Sequence, residues 1–407
     1  MKPGSQQLKV AHVTTIDMAL RYLLLNQLRN LQEAGYEVTG ISTPGSDVQI
    51  IEAAGIRHIA VTMPRSPYTP IQDLSALKKL YFIFRRERFS IVHTHNPKPG
   101  VLGQLAAKLA GVPVIINTVH GFYFHEHMPV PLRRFYVGLE KATARCSDVI
   151  LSQNREDIDT AVREKICHPE KIKCLGNGID LHKFDRATVP LESITAKRNE
   201  VELAAETRVI GFVGRLVREK GLLELFEAVR AVRQKVPNVT LLIIGPHDTN
   251  RKAAITAHTA RKFGIREIAR FLGTRHDMPE WYALMDVLVL PSYREGFPRV
   301  CMEASAMGVP CVATDIRGCR EAVEHGRNGL LVPVADVPAL ADAIIEVLTS
   351  HEKAQCFGRE GRCMAEDRFD ERQVFEKVKA EYRRLLQDKG LPLPEAGFAA
   401  TREALDQ

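Results

Sequence analysis

Short β-branched runs alternate with amphipathic helical stretches along almost the whole chain, and this pattern occurs twice. In the first half, the strand-like runs are residues 8–13, 37–41, 56–61, 91–94, 113–119 and 149–151. In the second half, they are residues 209–213, 239–244, 268–272, 287–290, 309–313 and 330–332. Apolar strands that alternate with crossover helices are typical of parallel sheets. The sequence therefore predicts an α/β fold with two doubly wound parallel-sheet, Rossmann-like domains that face a crevice.

The region between the two sets of strands marks the expected domain boundary. Residues 185–206 lose the strand pattern and include Pro190, which is typical of a linker that carries a helix. At 407 residues the chain is also too long for one typical core. The expected segments are an N-terminal domain at 1–186, a linker at 187–206, a C-terminal domain at 207–388 with a closing helix at 370–388, and a disordered tail at 389–407.

Composition excludes several classes of protein. The most apolar long stretch, residues 101–119, is interrupted by Gln104, Lys108, Pro113 and Asn117, so it falls short of the roughly 18 uninterrupted apolar residues of a transmembrane helix. The first eleven residues lack the apolar core of a signal peptide, so we expect a cytoplasmic protein. Eight cysteines without a C-x-x-C pair indicate buried free thiols rather than a zinc site or a disulfide framework.

The net charge of +7 is confined to the first half of the chain. Residues 1–190 contain 24 Lys and Arg against 17 Asp and Glu, whereas residues 191–407 contain 32 of each class. A basic surface on one domain suits an anionic partner such as nucleic acid, an acidic membrane surface or a phosphate-bearing substrate. An uneven but solvated surface explains the charge equally well.

The most informative segment is residues 286–313, where a strand ends near Pro291 and a helix follows. Pro298 suits the first helical position, and Gly308 suits the left-handed residue that ends a helix. The N-terminus of this helix would open at the carboxyl edge of the sheet, where its dipole favours a phosphate. The expected phosphate contacts are Gly296, Phe297 and Pro298.

Two carboxylates flank this helix start. Glu295 lies in the loop before the helix, and Glu303 lies one to two turns inside it. A loop carboxylate beside a diphosphate suits the hydroxyls of a sugar, and a helix carboxylate suits a ribose diol. The alternative is structural, with Glu295 as a helix cap and Glu303 as a surface residue.

A second segment, residues 209–221, is a strand followed by a loop rich in cations. Arg215 and Lys220 are placed to neutralise two phosphate charges without a metal, although a loop cation is often simply solvated. The spacing matches neither G-x-G-x-x-G nor G-x-x-x-x-G-K-[ST], which disfavours a dinucleotide-dependent dehydrogenase and a P-loop protein.

Histidines are concentrated in the first half. His93 and His95 end one strand, His120 ends another, and His125 and His127 follow. His93 and His95 project to one face of their strand, which would allow two metal ligands. Since further ligands would have to come from a loop, we predict no metal site.

These segments together resemble the family 4 glycosyltransferases, which are retaining enzymes of the GT-B architecture, and in particular their bacterial surface-polysaccharide type. The resemblance spans roughly residues 8–385. The motifs that carry it are HTHNPKPGVLGQLAAKLAGVPVIINTVHG, LGNGIDLHKF, GFVGRLVREKG and EGFPRVCMEASAMGVPCVATDIRGCREAV. Within them, Glu295 and Glu303 match the family's paired glutamates, Arg215 and Lys220 its diphosphate-binding pair, and His120 its active-site histidine.

The resemblance implies that the first domain binds the acceptor and the second binds the nucleotide sugar. Glu295 and His120 would then act on the sugar as catalytic residues, with Arg215 and Lys220 on the donor diphosphate and Glu303 on the ribose. Retention in the family is ascribed to same-face substitution, in which the departing phosphate takes the acceptor's proton. The protein then supplies positioning and charge stabilisation, and no metal or other cofactor is required.

One departure from the family concerns the turn after the first strand, which is commonly glycine-rich. Here Thr14 and Thr15 occupy this turn, so either the loop approaches the donor less closely, or these residues and the N-terminus of the helix from about Ala19 take over its contacts with the donor. In the second domain, Arg275 is the expected contact to the base or a phosphate, and UDP is the favoured nucleotide.

The resulting expectation is a metal-independent retaining hexosyl- or N-acetylhexosaminyltransferase. It would move a sugar from a UDP-sugar to a lipid-linked or polysaccharide acceptor in cell-surface glycan synthesis. The alternatives are a sugar-nucleotide epimerase of the same architecture and a non-catalytic nucleotide-sugar-binding protein. Nucleic-acid binding is disfavoured because aromatic interleaving and recognised modules are absent.

The basic residues of the first domain also suggest peripheral association with the inner face of a membrane. An apolar run at 80–84 is flanked by cations, and Arg133 and Arg134 follow Pro131. Such a surface can dock on anionic lipid, where a lipid-linked acceptor would be found. A core-packed helix with solvated cations is the alternative for 80–84. The flanking cations are Lys78, Lys79, Arg85, Arg86 and Arg88.

Overall fold

The chain forms two compact units, residues 1–176 with 374–407 and residues 177–373. The computed structural model describes residues 7–64, 66, 69–95, 97–124, 128–246 and 255–394. Predictions for His125, His127 and the tail from residue 395 onward therefore lie outside the described residues. Each unit contains one parallel sheet, as the sequence predicts.

The first unit contains a seven-stranded sheet in the order β3-β2-β1-β4-β5-β6-β7. Its strands are β1 Lys9–Ile16, β2 Glu37–Thr43, β3 Arg57–Ala60, β4 Ile91–His95, β5 Val114–Val119, β6 Val149–Ser152 and β7 Ile172–Cys174. The helices before residue 176 are α1 Asp17–Ala19, α2 Leu25–Glu33, α3 Val48–Ala53, α4 Pro70–Glu87, α5 Pro97–Ala110, α6 Val130–Ala144 and α7 Arg155–Arg163, with a π-helical turn at Leu20–Leu24.

The second unit contains a six-stranded sheet in the order β10-β9-β8-β11-β12-β13. Its strands are β8 Arg208–Val213, β9 Val239–Ile244, β10 Ala269–Gly273, β11 Val287–Leu290, β12 Cys311–Thr314 and β13 Gly329–Val332. The helices from residue 177 onward are α8 Leu191–Glu200, α9 Leu222–Lys235, α10 Ala257–Lys262, α11 Met278–Leu284, α12 Arg299–Ala306, α13 Arg317–Ala322, α14 Val337–Thr349, α15 His351–Arg368 and α16 Glu371–Asp388.

All twelve predicted strands are present, each with ends within three residues of the predicted ones. The strand that the sequence does not reveal is β7, because its three residues, Ile-Lys-Cys, form no apolar run. Alternate residues of the inner strands enter separate apolar clusters. Val10 and Ile91 join one cluster, whereas Ala11 and Val92 join another. Both faces of the first sheet are therefore buried, which is why its strands consist of nearly continuous apolar residues.

The last helix departs from the predicted domain boundaries. We expected residues 370–388 to close the second domain, but α16 from Val374 onward belongs to the first unit. Its apolar stripe, which includes Val378, Tyr382 and Leu386, packs in the cluster that contains Val10. An amphipathic stripe identifies a buried face without identifying its partner, so the sequence pattern does not assign this helix to a sheet.

The predicted linker is also part of a packed core. Val201 is buried in the cluster of the second unit, and Val189, Ile194 and Leu203 pack against that cluster. Helix α8 therefore belongs to the second unit rather than to a linker.

Two predictions from composition concern membrane spans and cysteines. Among the described residues, no helix is long and apolar enough to cross a membrane. All eight cysteines are free thiols, as expected. Burial is correct for Cys301, Cys311 and Cys319 only, since Cys146 and Cys167 are partly exposed and the other three are exposed. The exposed ones are Cys174, Cys356 and Cys363.

Candidate active site

Two loops meet at the carboxyl edge of the second sheet because their strands, β8 and β11, are neighbours at the centre of the sheet. Gly221, the N-cap residue of α9, has a φ of 71° and lies against the loop after β11. A Cβ atom added to Gly221 would lie 1.9 Å from the carbonyl oxygen of Pro291. Only glycine permits this approach, which places Lys220 beside the loop that contains Glu295.

Lys220 and Glu295 form an ion pair, with 2.5 Å between Nζ and Oε1. The hydroxyl of Ser292 donates a second hydrogen bond to the same carboxylate oxygen, at 2.7 Å. Both charged side chains are largely buried, with 17% of Lys220 and 11% of Glu295 exposed. The structure therefore brings together two predicted site residues and fixes the carboxylate from two sides.

The backbone at Glu295 and Gly296 is fixed as well, because α13 packs directly against it. A Cβ atom on Gly318 would lie 2.5 Å from the Glu295 carbonyl oxygen and 2.6 Å from that of Gly296. Gly318 thus allows this helix to support the loop at van der Waals distance. The close packing holds the Glu295 backbone beside the start of α12.

Helix α12 begins one residue later than predicted. Pro298 is the N-cap, since its carbonyl accepts the N–H of Cys301 at 3.1 Å, and the helix ends before Gly308, which has a φ of 70°. Phe297 packs edge-on against Phe369, 5.8 Å between ring centroids, and its carbonyl accepts a hydrogen bond from Asn177 Nδ2 at 3.3 Å. The partly buried ring of Phe297 thus packs against the core of the second unit.

Glu303 is held on the wall of α12. The hydroxyl of the buried Tyr282 donates to its Oε2 at 2.8 Å, and Arg299 Nε lies 3.9 Å from its Oε1. Burial raises the pKa of the Glu303 carboxyl, whereas Arg299 and the Tyr282 hydroxyl oppose that increase. The alternative of a freely solvated surface glutamate is thereby wrong.

The two arginines predicted for the donor differ in their surroundings. Arg215 is exposed after β8 and makes no ion pair with any residue that the structure describes. Arg275 pairs with Glu200 at 2.8 Å, donates to the Leu272 carbonyl at 3.0 Å and lies over the ring of Trp281 at 5.1 Å. Arg275 therefore fastens α8 to the second unit, whereas Arg215 is available to a ligand.

In the first unit, the turn after β1 differs from the expectation. The strand continues through Thr14 and Thr15 to Ile16. Thr14 is fully buried, and its hydroxyl donates to the Ile16 carbonyl at 2.9 Å, so this side chain is not exposed to a ligand in the structure. Thr15 is partly exposed and stays a candidate. The turn after β1 is stabilised by Asp17, whose carboxylate accepts hydrogen bonds from the backbone N–H groups of Met18 and Asp47, both at 2.9 Å.

His93 and His95 lie on one face of β4 as predicted, with 4.4 Å between ring centroids. The expectation that a further ligand must come from a loop is wrong, because His12 on β1 aligns with His93 and completes a buried trio. Imidazole nitrogens of the three lie within 4.8 Å of one another. His12 Nδ1 and His95 Nε2 are 2.9 Å apart, which is a hydrogen bond.

His120 follows β5 and is partly exposed. Its Nε2 lies 3.1 Å from His95 Nδ1, and its side chain also hydrogen-bonds Gln153. Burial lowers the pKa of His120 to about 4, so the ring is neutral at pH 7. His120 shares a cavity with Glu140, whose pKa is raised to about 7 by burial and by the Asp157 carboxylate.

Sequence reasoning missed four residues that lie next to the predicted histidines: His12, Gln153, Glu140 and Tyr382, whose hydroxyl lies 2.8 Å from His93 Nδ1. His12 carried a usable signal, because an isolated histidine in an apolar strand is placed beside His93 once the strands are aligned. Tyr382 carried none, since its helix was assigned to the other unit.

Comparisons with known proteins address the family. The model described as Glycosyltransferase Family 4 matches residues 22–183, and the one described as Glycosyl transferases group 1 matches residues 207–350. An Escherichia coli relative, UDP-Gal:alpha-D-GlcNAc-diphosphoundecaprenol alpha-1,3-galactosyltransferase, is 28% identical over 85% of this chain and 89% of its own. The Staphylococcus aureus capsular polysaccharide biosynthesis glycosyltransferase CapM is 27% identical over 93% of this chain and 98% of its own.

A solved structure with the same fold is that of Anabaena HepE in complex with UDP-glucose. It aligns with a TM-score of 0.78 at 20% identity and covers 93% of this chain and 100% of that one. The two family models together cover three quarters of the chain. The protein therefore belongs to the family 4 glycosyltransferases and has their GT-B fold.

Proposed function

We propose that this glycosyltransferase transfers a hexosyl or N-acetylhexosaminyl group from a UDP-sugar to a lipid-linked acceptor, with retention and without a metal. The observation that carries the proposal is the Lys220–Glu295 pair at the start of α12, with Glu303 on the same helix. UDP as the nucleotide of the donor is supported by the UDP-glucose bound to HepE and by the donor named for the Escherichia coli relative.

The donor diphosphate has suitable partners at this edge of the sheet. Arg215 is exposed and unpaired among the described residues, and Lys220 carries a second positive charge. The first N–H groups of α12 have no acceptors within the helix, and its dipole favours an anion there. These groups neutralise the departing UDP, which is the role that a metal fills in other transferases.

The remaining groups orient the reacting sugar and its ribose. Glu295, fixed by Lys220 and Ser292, offers a carboxylate to sugar hydroxyls, and Glu303, held by Tyr282, offers one to the ribose diol. His120 is neutral and can donate or accept at a sugar hydroxyl. In same-face substitution the acceptor oxygen attacks the anomeric carbon while a departing phosphate oxygen takes its proton. The protein then lowers the barrier by position and charge.

The test is a thermal-shift panel of UDP, GDP, ADP and their common sugars, with and without EDTA, followed by assays of donor hydrolysis and transfer. We expect stabilisation by the UDP series alone, unchanged by EDTA, and lost in Lys220→Ala and Glu303→Ala. Lys235→Ala, an exposed cation at the end of α9, is the matched control. Conversion of the UDP-sugar to its epimer without transfer would identify an epimerase instead.

A lipid-linked acceptor also requires a surface that meets lipid, and α6 supplies one. Val130, Leu132 and Phe135 are 60%, 44% and 59% exposed in its first turns, and Arg134 beside them is exposed. In α4, Leu80 and Phe84 are buried in the core, as the alternative for that run predicted, whereas Phe82 between them is exposed. We therefore place the contact with anionic lipid on α6.

Co-sedimentation with vesicles that contain phosphatidylglycerol, at low salt, tests this surface. Phe135→Ser should reduce the bound fraction several-fold, because it removes apolar area that enters the interface. Phe82→Ser on α4 is the matched control, since Phe82 is 65% exposed. Equal binding of the wild type and Phe135→Ser would refute the assignment to α6.

A further inference from the structure

Four imidazoles and one phenol form a continuous chain of hydrogen bonds inside the first unit. Tyr382 of α16 lies between two histidines, with its hydroxyl 2.8 Å from His93 Nδ1 and 3.1 Å from His12 Nε2. His12 Nδ1 continues to His95 Nε2 at 2.9 Å, and His95 Nδ1 continues to His120 Nε2 at 3.1 Å. Tyr382 is thereby connected to His120 through two intervening rings.

Both ends of the chain are defined. His93 Nε2 lies 2.7 Å from the Thr118 hydroxyl, and the His120 side chain hydrogen-bonds Gln153. Each ring nitrogen of His12, His93 and His95 therefore has one partner. These three rings, Thr118 and Tyr382 are buried.

All four imidazoles are neutral at pH 7, because burial lowers the pKa of His12 to about 3, that of His120 to about 4 and those of His93 and His95 well below the usual value. A neutral imidazole has one donor nitrogen and one acceptor nitrogen. If it donates at one link, it must accept at the other. The links of this chain therefore run in one common direction, and the tautomer of His120 is tied to the direction set at Tyr382.

We propose that Tyr382, acting through His12 and His95, is a positioning residue that fixes the tautomer and ring orientation of His120. The catalytic consequence rests on the proposed function, in which His120 contacts the sugar. A neutral histidine aids transfer only if the correct nitrogen, donor or acceptor, faces the substrate hydroxyl. Loss of the correct tautomer is costly even where the geometry of a histidine is retained.

A zinc site is the competing use of the same trio, and the geometry disfavours it. Zinc–nitrogen bonds are about 2.0–2.1 Å long, so three ligand nitrogens must point at one shared centre. Here His93 directs both nitrogens elsewhere, to Tyr382 and to Thr118. His12 and His95 point at each other at hydrogen-bond distance.

Tyr382→Phe is the direct test, because it removes the bridging hydroxyl and keeps the ring. Tyr36→Phe is the matched control. Tyr36 is also buried, packs edge-on against Tyr382 at 5.7 Å between centroids, and its hydroxyl has no hydrogen-bond partner among the described residues. Both variants lose one buried oxygen from the same cluster, but only one of them cuts the chain.

The readout is the pair of ring ¹⁵N chemical shifts of His120 in protein labelled at its histidine rings, assigned with His120→Gln. We expect one dominant tautomer in the wild type and in Tyr36→Phe, and averaged or exchanged shifts in Tyr382→Phe. For transfer, we expect kcat to fall about tenfold in Tyr382→Phe with the donor KM unchanged. This loss is smaller than the full contribution of an acid–base histidine, because the histidine itself is retained.

A pH–rate profile adds a second readout. The groups that face this chain are Tyr36 beside Tyr382, and Gln153 and Glu140 beside His120. The acid limb of the profile should move in Tyr382→Phe and stay in place in Tyr36→Phe. If Tyr382→Phe does not fold, Thr118→Val cuts the far link and should also change the His120 shifts.

Three outcomes would overturn the inference. Unchanged His120 shifts in a folded Tyr382→Phe protein would show that the chain does not set the tautomer. Equal kcat losses in Tyr382→Phe and Tyr36→Phe would show a role in packing alone. Stoichiometric zinc in the purified wild type, lost in His12→Asn, would assign the trio to a metal. If the shifts change as expected but no UDP-sugar binds or reacts, the proposed function fails and the positioning chain stands.

Discussion

The two units hold their polar groups in opposite ways. In the second unit, the site is ionic, with Lys220 against Glu295 and Glu303 held by Tyr282 at a sheet edge. In the first unit, the polar groups are neutral rings buried between strands and a helix, with the pKa of each histidine depressed. An ionic site suits the charged donor that we propose, whereas a neutral network can orient one side chain without competing for that charge.

The largest expected effect comes from breaking the ionic site. Lys220→Ala leaves Glu295 without its cation and removes one positive charge from the proposed diphosphate site. We expect kcat/KM for transfer to fall by about a hundredfold to a thousandfold, the usual cost of removing a group that stabilises developing charge. Steady-state transfer kinetics measure the effect. Lys235→Ala should retain the wild-type rate, and a loss of less than tenfold in Lys220→Ala would remove Lys220 from the diphosphate site.

The neutral network predicts that acid destabilises the first unit before the second. The unfolded chain binds protons on its histidines near pH 6.5, whereas His12 and His120 bind them only near pH 3 and 4 in the folded state. The stability that these neutral histidines contribute is therefore fully present above pH 6.5. It is lost as the pH falls toward their pKa values in the folded state. We expect the free energy of unfolding of the first unit to fall by about 3 kcal/mol or more by pH 4.

The single tryptophan separates the two units in this acid titration. Trp281 is buried in the second unit, so its fluorescence reports that unit alone, whereas far-ultraviolet circular dichroism reports both. Helical signal should decline at a higher pH than the tryptophan emission changes. Coincident transitions would mean that the histidines do not control the acid stability of the first unit.

A smaller effect is expected at Glu303, the proposed ribose contact. Glu303→Gln keeps the length of the side chain and the bond from Tyr282, but one carboxylate oxygen becomes an amide. We expect the KM for the UDP-sugar to rise about tenfold while kcat changes little, because the contact is made equally in the ground and transition states. Glu227→Gln on the exposed face of α9 controls for loss of charge. A fall in kcat with KM constant would move Glu303 from the ribose to the reacting sugar.

The same contrast explains what the sequence could reveal. Lys220, Glu295 and Glu303 lie in short segments whose strand–loop–helix order is visible in the residues, and strand neighbours bring those segments together. The histidine network depends instead on the alignment of β1 with β4 and on the packing partner of α16. The hydroxyl of Thr14 points inward and Arg275 binds Glu200, and both outcomes follow from three-dimensional packing that residue type alone does not specify.

The smallest effect concerns Glu140, a carboxyl beside His120 whose pKa is raised to about 7 by burial and by Asp157. The folded protein keeps a proton that the unfolded chain releases near pH 4.5, so stability falls as the pH rises between those values and stays lower above pH 7. The Glu140→Gln variant cannot ionise at this position, so its free energy of unfolding should exceed that of the wild type by about 1 kcal/mol at pH 8 and should equal it at pH 4.5. The value at pH 8 is reduced for solvent screening, because Glu140 is partly exposed. Melting temperatures at both pH values measure the difference, with Asp159→Asn at an exposed position of α7 as the control. A gain that is equal at both pH values would mean that packing, rather than a buried charge, limits this part of the first unit, and the contrast between a neutral and an ionic site would then rest on the histidines alone.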